Sequence, residues 1–167
     1  MNIAKDLYNY RELLKTNIKK DVGGKYKNSV LGVLWSFINP LLQIAVYALV
    51  FQVILKSEIE NYTVYLCCGL IPWQYFSSVV LRGAAVVVDN ANIIKKVYFP
   101  REILPISVVA SEGVNFLIAT IIILGFVIFG GIGLSWNILW YFVILAIQFV
   151  VSIGVAFIVS SLTVYFR

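Results

Sequence analysis

Long uncharged runs alternate with short basic or mixed segments along this chain, and the runs have the length of membrane spans. A hydrocarbon core of roughly 30 Å takes about 20 apolar residues as helix. From Val30 to Leu55 there is no charge, although Asn39, Pro40, Gln43 and Gln52 interrupt the apolarity. Asn61 to Leu81 is also uncharged, contains Pro72, and continues past Arg82 into the apolar stretch Gly83 to Val88. Between Glu112 and Arg167 no charge occurs, which is too long for one span, and Gly130-Gly131-Ile132-Gly133 divides it. The pattern predicts an all-α polytopic membrane protein, a single domain over 1–167 with transmembrane helices at 30–55, 61–88, 103–129 and 138–165. A cleavable signal peptide does not fit the first run, because the basic region before it is too long and the run exceeds a signal core.

Two segments outside the runs have patterns of their own. Ile3, Leu7, Tyr10, Leu14 and Ile18 recur at helical spacing and fall within an arc of about 80°. Lys5, Glu12, Lys15, Thr16 and Lys19 occupy the opposite face. Residues 1–29 therefore read as an amphipathic helix and a turn. Asp21 would fall on the apolar arc, so the helix is expected to end near Lys20 and Gly23-Gly24 to turn the chain. Periodicity favours a plain interfacial anchor, its apolar face in the acyl boundary and its lysines toward anionic headgroups, over an element that also meets a partner.

The segment 89–102 is too apolar for a mere connection. Asp89 or Asn90 can cap a short helix, and Pro100 with Pro105 keeps it from running unbroken into the next span. Ile93, Ile94 and Val97 would share one face. That face either dips into headgroups or fills a groove on a partner; the pattern leaves both open.

Composition agrees with lipid as the solvent. Of 167 residues 61% are hydrophobic and 13% charged, whereas an average soluble domain is roughly half apolar and a quarter charged. A net charge of +5 would suit nucleic acid, but its placement does not. Seven of the thirteen Lys and Arg precede the first long run, and Lys95, Lys96 and Arg101 lie in the middle loop. With Arg167, one side holds eleven basic residues against Lys56 opposite, which places the N-terminus and 89–102 in the cytoplasm. Arg82, near the inner end of its span, can snorkel to that side. Tyr62, Tyr65, Trp136 and Trp140 sit where an outer aromatic belt is expected.

Much chemistry is excluded. There is no histidine, and no acidic pair has catalytic or metal-site spacing. Gly23-Gly24-Lys25-Tyr26-Lys27 is not a phosphate loop, so nucleotide hydrolysis would have to come from another chain. Cys67 and Cys68, adjacent in an apolar run, read as small hydrophobes. Glu112 is the acidic residue well inside a span; it is either a protonated, hydrogen-bonded packing residue or part of a transport path.

Tyr26-Lys27-Asn28-Ser29-Val30-Leu31-Gly32-Val33-Leu34-Trp35-Ser36-Phe37-Ile38-Asn39-Pro40-Leu41 resembles the start of a type-2 ABC transporter permease of the polysaccharide-export family, which exports O-antigen, capsule or teichoic acid chains. Ile93-Ile94-Lys95-Lys96-Val97-Tyr98-Phe99-Pro100-Arg101-Glu102-Ile103-Leu104-Pro105 is similar to that family's second hallmark, the loop after span two. The resemblance implies a subunit in the bacterial cytoplasmic membrane that pairs with a second copy and with two ATPase subunits, which supply ATP and Mg, to move lipid-linked polysaccharide. It implies that Ile93, Ile94, Lys95, Lys96, Val97, Tyr98, Phe99, Pro100 and Arg101 form a coupling element docked in the ATPase. Leu7, Tyr10, Leu14 and Ile18 would form an interface helix bordering it. Trp35, Tyr47, Phe51, Trp73, Tyr75 and Phe76 are candidates for a sugar track, with ordinary packing as the expectation for most of them.

The family has six spans, and this chain stops at Val164-Tyr165-Phe166-Arg167. The expectation is a fragment or a shortened homologue that can dock its ATPase without enclosing a complete path. Two other classes compete. One is a scaffold or assembly subunit without transport. The other, a membrane enzyme of lipid-linked sugar metabolism, is opposed by the missing histidine and the lack of a carboxylate-rich loop.

Overall fold

A computed structural model describes residues 8–26, 34–54, 62–96, 99–129, 136 and 138–166. Ile3, Leu7, Val97, Tyr98 and the glycine turn at 130–133 lie outside the described residues. Helix α1 spans Arg11–Tyr26, α2 Trp35–Ala48, α3 Tyr62–Asp89, α4 Ala91–Ile94, α5 Ile103–Phe129 and α6 Ile138–Phe166. The protein is a multi-pass, all-α membrane protein, as its hydrophobic pattern predicts.

Among the described residues, three stretches are long and apolar enough to cross a membrane: Tyr62–Asp89, Ile103–Gly125 and Leu139–Phe166. The first expected span is less regular. The 14 α-helical residues of α2 pass into a 6-residue π-helix, Leu49–Ile54, and the apolar helical stretch among the described residues is the shorter Phe37–Phe51, with Asn39, Pro40 and Gln43 inside it. Pro40 lies inside α2 and has no N–H to close the preceding turn, which in a membrane needs neighbouring helices to satisfy the freed backbone.

Helices α3, α5 and α6 run back and forth and form the core. Tyr62, Leu66, Ile71, Tyr75, Val79, Gly83 and Val86 make one buried stripe along α3, recurring every three to five residues. Three apolar layers stack along it. Ile44, Tyr62, Leu66, Ile71, Ala119, Ile122 and Ile123 form the layer farthest from α4. Tyr75, Val79, Val109 and Ala156 form the middle. Val86, Phe99, Leu104 and Val108 form the third, joined by Tyr10 and Leu13 of α1 and Ile94 of α4. Lipid tails are as apolar as these side chains, so the layers stabilise through close packing more than through water release. The buried side of α6 is correspondingly small: Ser152, Ala156 and Ser160, four residues apart. A Cβ added at Gly83 would stand 3.5 Å from Ala156, so the α3–α6 crossing is close. Tyr141 and Ile153 also pack against the core, while many of the other α6 side chains, such as Leu139, Ile144, Ile147, Val150 and Ile158, are apolar and exposed.

Helix α1 departs from expectation. It does not stop near Lys20 but passes Gly23 and Gly24 and continues to Tyr26. Nor does its apolar arc face only lipid: Tyr10, Leu13, Leu14, Asn17, Ile18 and Asp21 are half-buried, packed chiefly along α5. The expected break rested on Asp21 meeting acyl chains. It meets an arginine instead. The opposite face behaves as predicted, with Lys15 paired to Glu12 at 3.0 Å and the Thr16 hydroxyl donating to the Glu12 carbonyl at 2.7 Å. At the far end of the bundle Tyr65, Trp136 and Trp140 project outward, but Tyr62 is drawn into the core rather than joining a belt.

Candidate functional site

Polar residues inside the apolar runs gather on one side of the bundle. Asn39 and Gln43 of α2 are four residues apart, as are Gln74 and Ser78 of α3; Glu112 and Asn115 of α5 are three apart. These spacings place each pair on one helix face. The Gln43 and Gln74 side-chain amides hydrogen-bond across α2 and α3. Asn39, Gln74, Ser78, Glu112 and Asn115, with Trp35, Tyr75 and Phe116, line a cavity of about 320 Å³ between the three helices. The Tyr75 and Phe116 rings lie 5.1 Å apart in its wall. Gln148 donates to the Pro72 carbonyl at 2.7 Å, tying α6 to the back of α3.

Below this cavity, toward α1, lies a charge cluster. Arg82 of α3 donates from Nη1 to Glu112 Oε1 at 2.5 Å, and its Nη2 stands 3.0 Å from Asp21 Oδ2 of α1. Asn115 Nδ2 is 3.5 Å from the other Glu112 oxygen, and Ser111 Oγ is 3.5 Å from Asp21 Oδ2. Glu112 is only 4% exposed. An isolated charge there would be very costly, and a guanidinium shared by two carboxylates offsets that cost through directed, charge-assisted bonds. Arg82 reaches toward α1, where the apolar arc delivers Asp21, and Glu112 is a buried member of the ion pair.

On the far side of the Arg82–Glu112 pair is a second cleft, of about 410 Å³, lined by Asn17, Lys20, Asp21, Arg82, Asp89 and Asn90 among others. The ion pair thus forms the partition between the two spaces.

The six aromatic candidates do not converge. Trp35 and Tyr75 line the polar cavity. Tyr47, Phe51 and Trp73 line a separate, more apolar groove of about 550 Å³ together with Tyr62 and Tyr65. There Tyr47–Phe51, Phe51–Tyr62 and Tyr62–Tyr65 form a ladder with ring centroids 6.0–6.4 Å apart. Phe76 packs on Trp73 at 6.1 Å. Asn39 and Gln43 stood out in the sequence only as interruptions of an apolar run, and Gln74, Ser78 and Asn115 were not singled out; their spacing on helix faces is the signal that would have found them.

The segment between α3 and α5 also differs in part. Asn90 stands at the start of α4, but its side chain donates back to the Val86 carbonyl at 2.8 Å and makes no capping bond. Ile94 is half-buried against the layer of Val86, Phe99, Leu104 and Val108, and Phe99 is itself buried. Asn92, Ile93, Lys95, Lys96 and Arg101 are exposed, and Pro100 is half-buried. Of the interface-helix residues, Tyr10, Leu14 and Ile18 are half-buried on the α5 side.

Membrane-crossing helices that bring amides, a hydroxyl and a carboxylate to one cavity, with a basic and partly apolar face at one end, define a polytopic membrane protein with a polar site inside its bundle. The chain belongs to the ABC-2 type transporter family, which matches residues 12–167. It is 40% identical over 157 residues to an O-antigen export system permease protein RfbA of Klebsiella pneumoniae, covering 93% of this chain and 61% of that protein. It is 32% identical over 167 residues to the protein of the same name from Myxococcus xanthus, covering 100% of this chain and 64% of that one. The chain thus spans a little under two thirds of the length of these relatives. The resemblance read from the two sequence motifs holds.

Proposed function

We propose that this chain forms the transmembrane part of an ATP-driven exporter that moves lipid-linked polysaccharide across the bacterial cytoplasmic membrane. The observation that carries this reading is the polar cavity between α2, α3 and α5. Sugar hydroxyls both donate and accept, and side-chain amides and carboxylates answer them in pairs, while rings stack on the apolar faces of sugars. Gln74, Asn115, Ser78 and Glu112 supply the first kind of contact, Trp35 and Tyr75 the second. Such groups are costly beside lipid and are kept where they line a path. The names of the relatives point to the same cargo class.

The chain works with a second copy of itself and with separate ATPase subunits, which hold ATP and Mg. The lopsided distribution of Lys and Arg puts α1 and α4 in the cytoplasm. Ile93, an exposed apolar side chain beside Lys95 and Lys96, is then the contact offered to the ATPase. Polar and charged neighbours orient such docking, and the apolar anchor supplies most of its affinity.

The cavity is tested in cells whose own permease gene is deleted and replaced by the full natural chain carrying Gln74→Leu with Asn115→Leu. Both changes remove hydrogen-bonding groups from the cavity wall. Surface glycan is expected to fall by about tenfold or more, the loss of one to two hydrogen bonds per sugar, while permease abundance and ATPase co-purification stay unchanged. Undiminished surface glycan would remove the cavity from the export path.

A further inference from the structure

The Arg82 cluster has more connections than burial of one carboxylate requires. Glu112 reaches Arg82 through one guanidinium nitrogen and Asp21 reaches it through the other. Glu112 lines the intramembrane cavity, whereas Asp21 lines the cleft on the other side of the pair. Asp21 is carried by α1, whose outer face is exposed and charged; Glu112 is carried by α5, and Arg82 by α3. Three separate elements therefore meet at one planar cation.

We propose that Asp21 is a positioning residue for the cavity: acting through Arg82, it fixes where the Glu112 carboxylate lies, so that displacement of α1 alters the cavity wall. A guanidinium has a rigid fork, and each carboxylate here occupies one prong. Removing Asp21 frees Nη2, and the fork can then turn to grip Glu112 with both prongs, the geometry Arg and carboxylate prefer when alone. That rotation draws Glu112 away from Asn115 and reshapes the wall that both residues form with Ser78. The reverse coupling follows by linkage: whatever binds Glu112 from the cavity side changes how firmly Arg82 holds α1. A simple staple that only fastens α1 to the bundle would not transmit in this way.

The inference concerns the same cavity as the proposed export function, but its test needs neither glycan nor ATPase, so the two can fail separately. In the full natural chain in lipid nanodiscs, Ser78→Cys is the reporter of the cavity, in a Cys67→Ser, Cys68→Ser background. The native Cys68, exposed in the outer aromatic groove, is the reporter of distant loosening in a Cys67→Ser background. Both are titrated with N-ethylmaleimide, with and without Asp21→Asn. The expected result is a change in the Ser78→Cys labelling rate of about tenfold, equivalent to 1.4 kcal/mol of altered access, with Cys68 unchanged and Asp21→Glu restoring the original rate. Arg82→Lys, which keeps the charge but cannot fork to two fixed carboxylates, is expected to shift the same reporter and to give a second route should Asp21→Asn assemble poorly. An unchanged Ser78→Cys rate in both variants, or equal changes at Ser78→Cys and Cys68, would overturn the inference.

Discussion

Arg82 is the residue on which most of the internal electrostatics depends. Its side chain is about one third exposed at 32%, Asp21 at 26%, while Glu112 is at 5% and has little water to turn to. Truncating Arg82 to Ala leaves the Glu112 carboxylate buried without its cation, and breaking such a pair typically costs about 3–5 kcal/mol. Removing both partners is different, because well-packed apolar replacements of an ion pair are often neutral. Arg82→Ala is therefore expected to lower the thermal unfolding midpoint in detergent markedly. Arg82→Met combined with Glu112→Met should recover most of that loss, since the stranded Asp21 lies beside an open cleft where water can reach it. Equal destabilisation by the single and the double change would mean that the site depends on shape and not on charge pairing.

At the scale of elements, α4 is a single turn whose two neighbouring isoleucines have opposite fates. Ile94 completes the layer of Val86, Phe99, Leu104 and Val108, while Ile93 is 45% exposed. Ile94→Asp would set a charge against that layer and, Ile94 being half-buried, should lower the unfolding midpoint moderately. Ile93→Asp should leave the unfolding midpoint near its original value and release the ATPase on co-purification, because an unpaired charge would enter the apolar contact at the interface. Lys95→Ala should have a small effect that fades with salt. Full retention of the ATPase by the Ile93→Asp variant would show that this turn is not the docking contact.

The same pair shows where sequence reading stops. Apolar runs report lipid directly, so an all-α, multi-pass membrane protein was legible from the chain, and the repeating arc from Tyr10 to Ile18 made α1 legible as amphipathic. Periodicity names a face without naming what covers it. The arc included Asp21 correctly, yet only the fold supplies Arg82, so a helix expected to break there continues. In a four-residue helix there is no period to read, and nothing in Ile93-Ile94 distinguishes the anchored side chain from the exposed one. The amides at Asn39, Gln43, Gln74 and Asn115 appear in the sequence as interruptions of apolar runs. Their common purpose emerges only when three helices bring them to one cavity.

For the whole molecule, stability and use pull in different directions. The tight crossing of Gly83 on Ala156 holds α3 against α6, while α2 borders the polar cavity through Trp35, Asn39 and the helix-internal Pro40; its π-helical continuation Leu49–Ile54 lies beyond that cavity, where Phe51 lines the aromatic groove. A packed bundle with a proline-containing wall around a polar space accords with the proposed export path. The most direct measurement is translocation itself. The complete permease, reconstituted in proteoliposomes with its ATPase, would be given lipid-linked glycan labelled in the leaflet that faces the ATPase. The account predicts that glycan becomes accessible to a lectin on the opposite side only when ATP and both subunits are present, and that Gln74→Leu with Asn115→Leu suppresses this without abolishing basal ATP hydrolysis. Lectin access that is independent of ATP, or unchanged in the cavity variant, would contradict it.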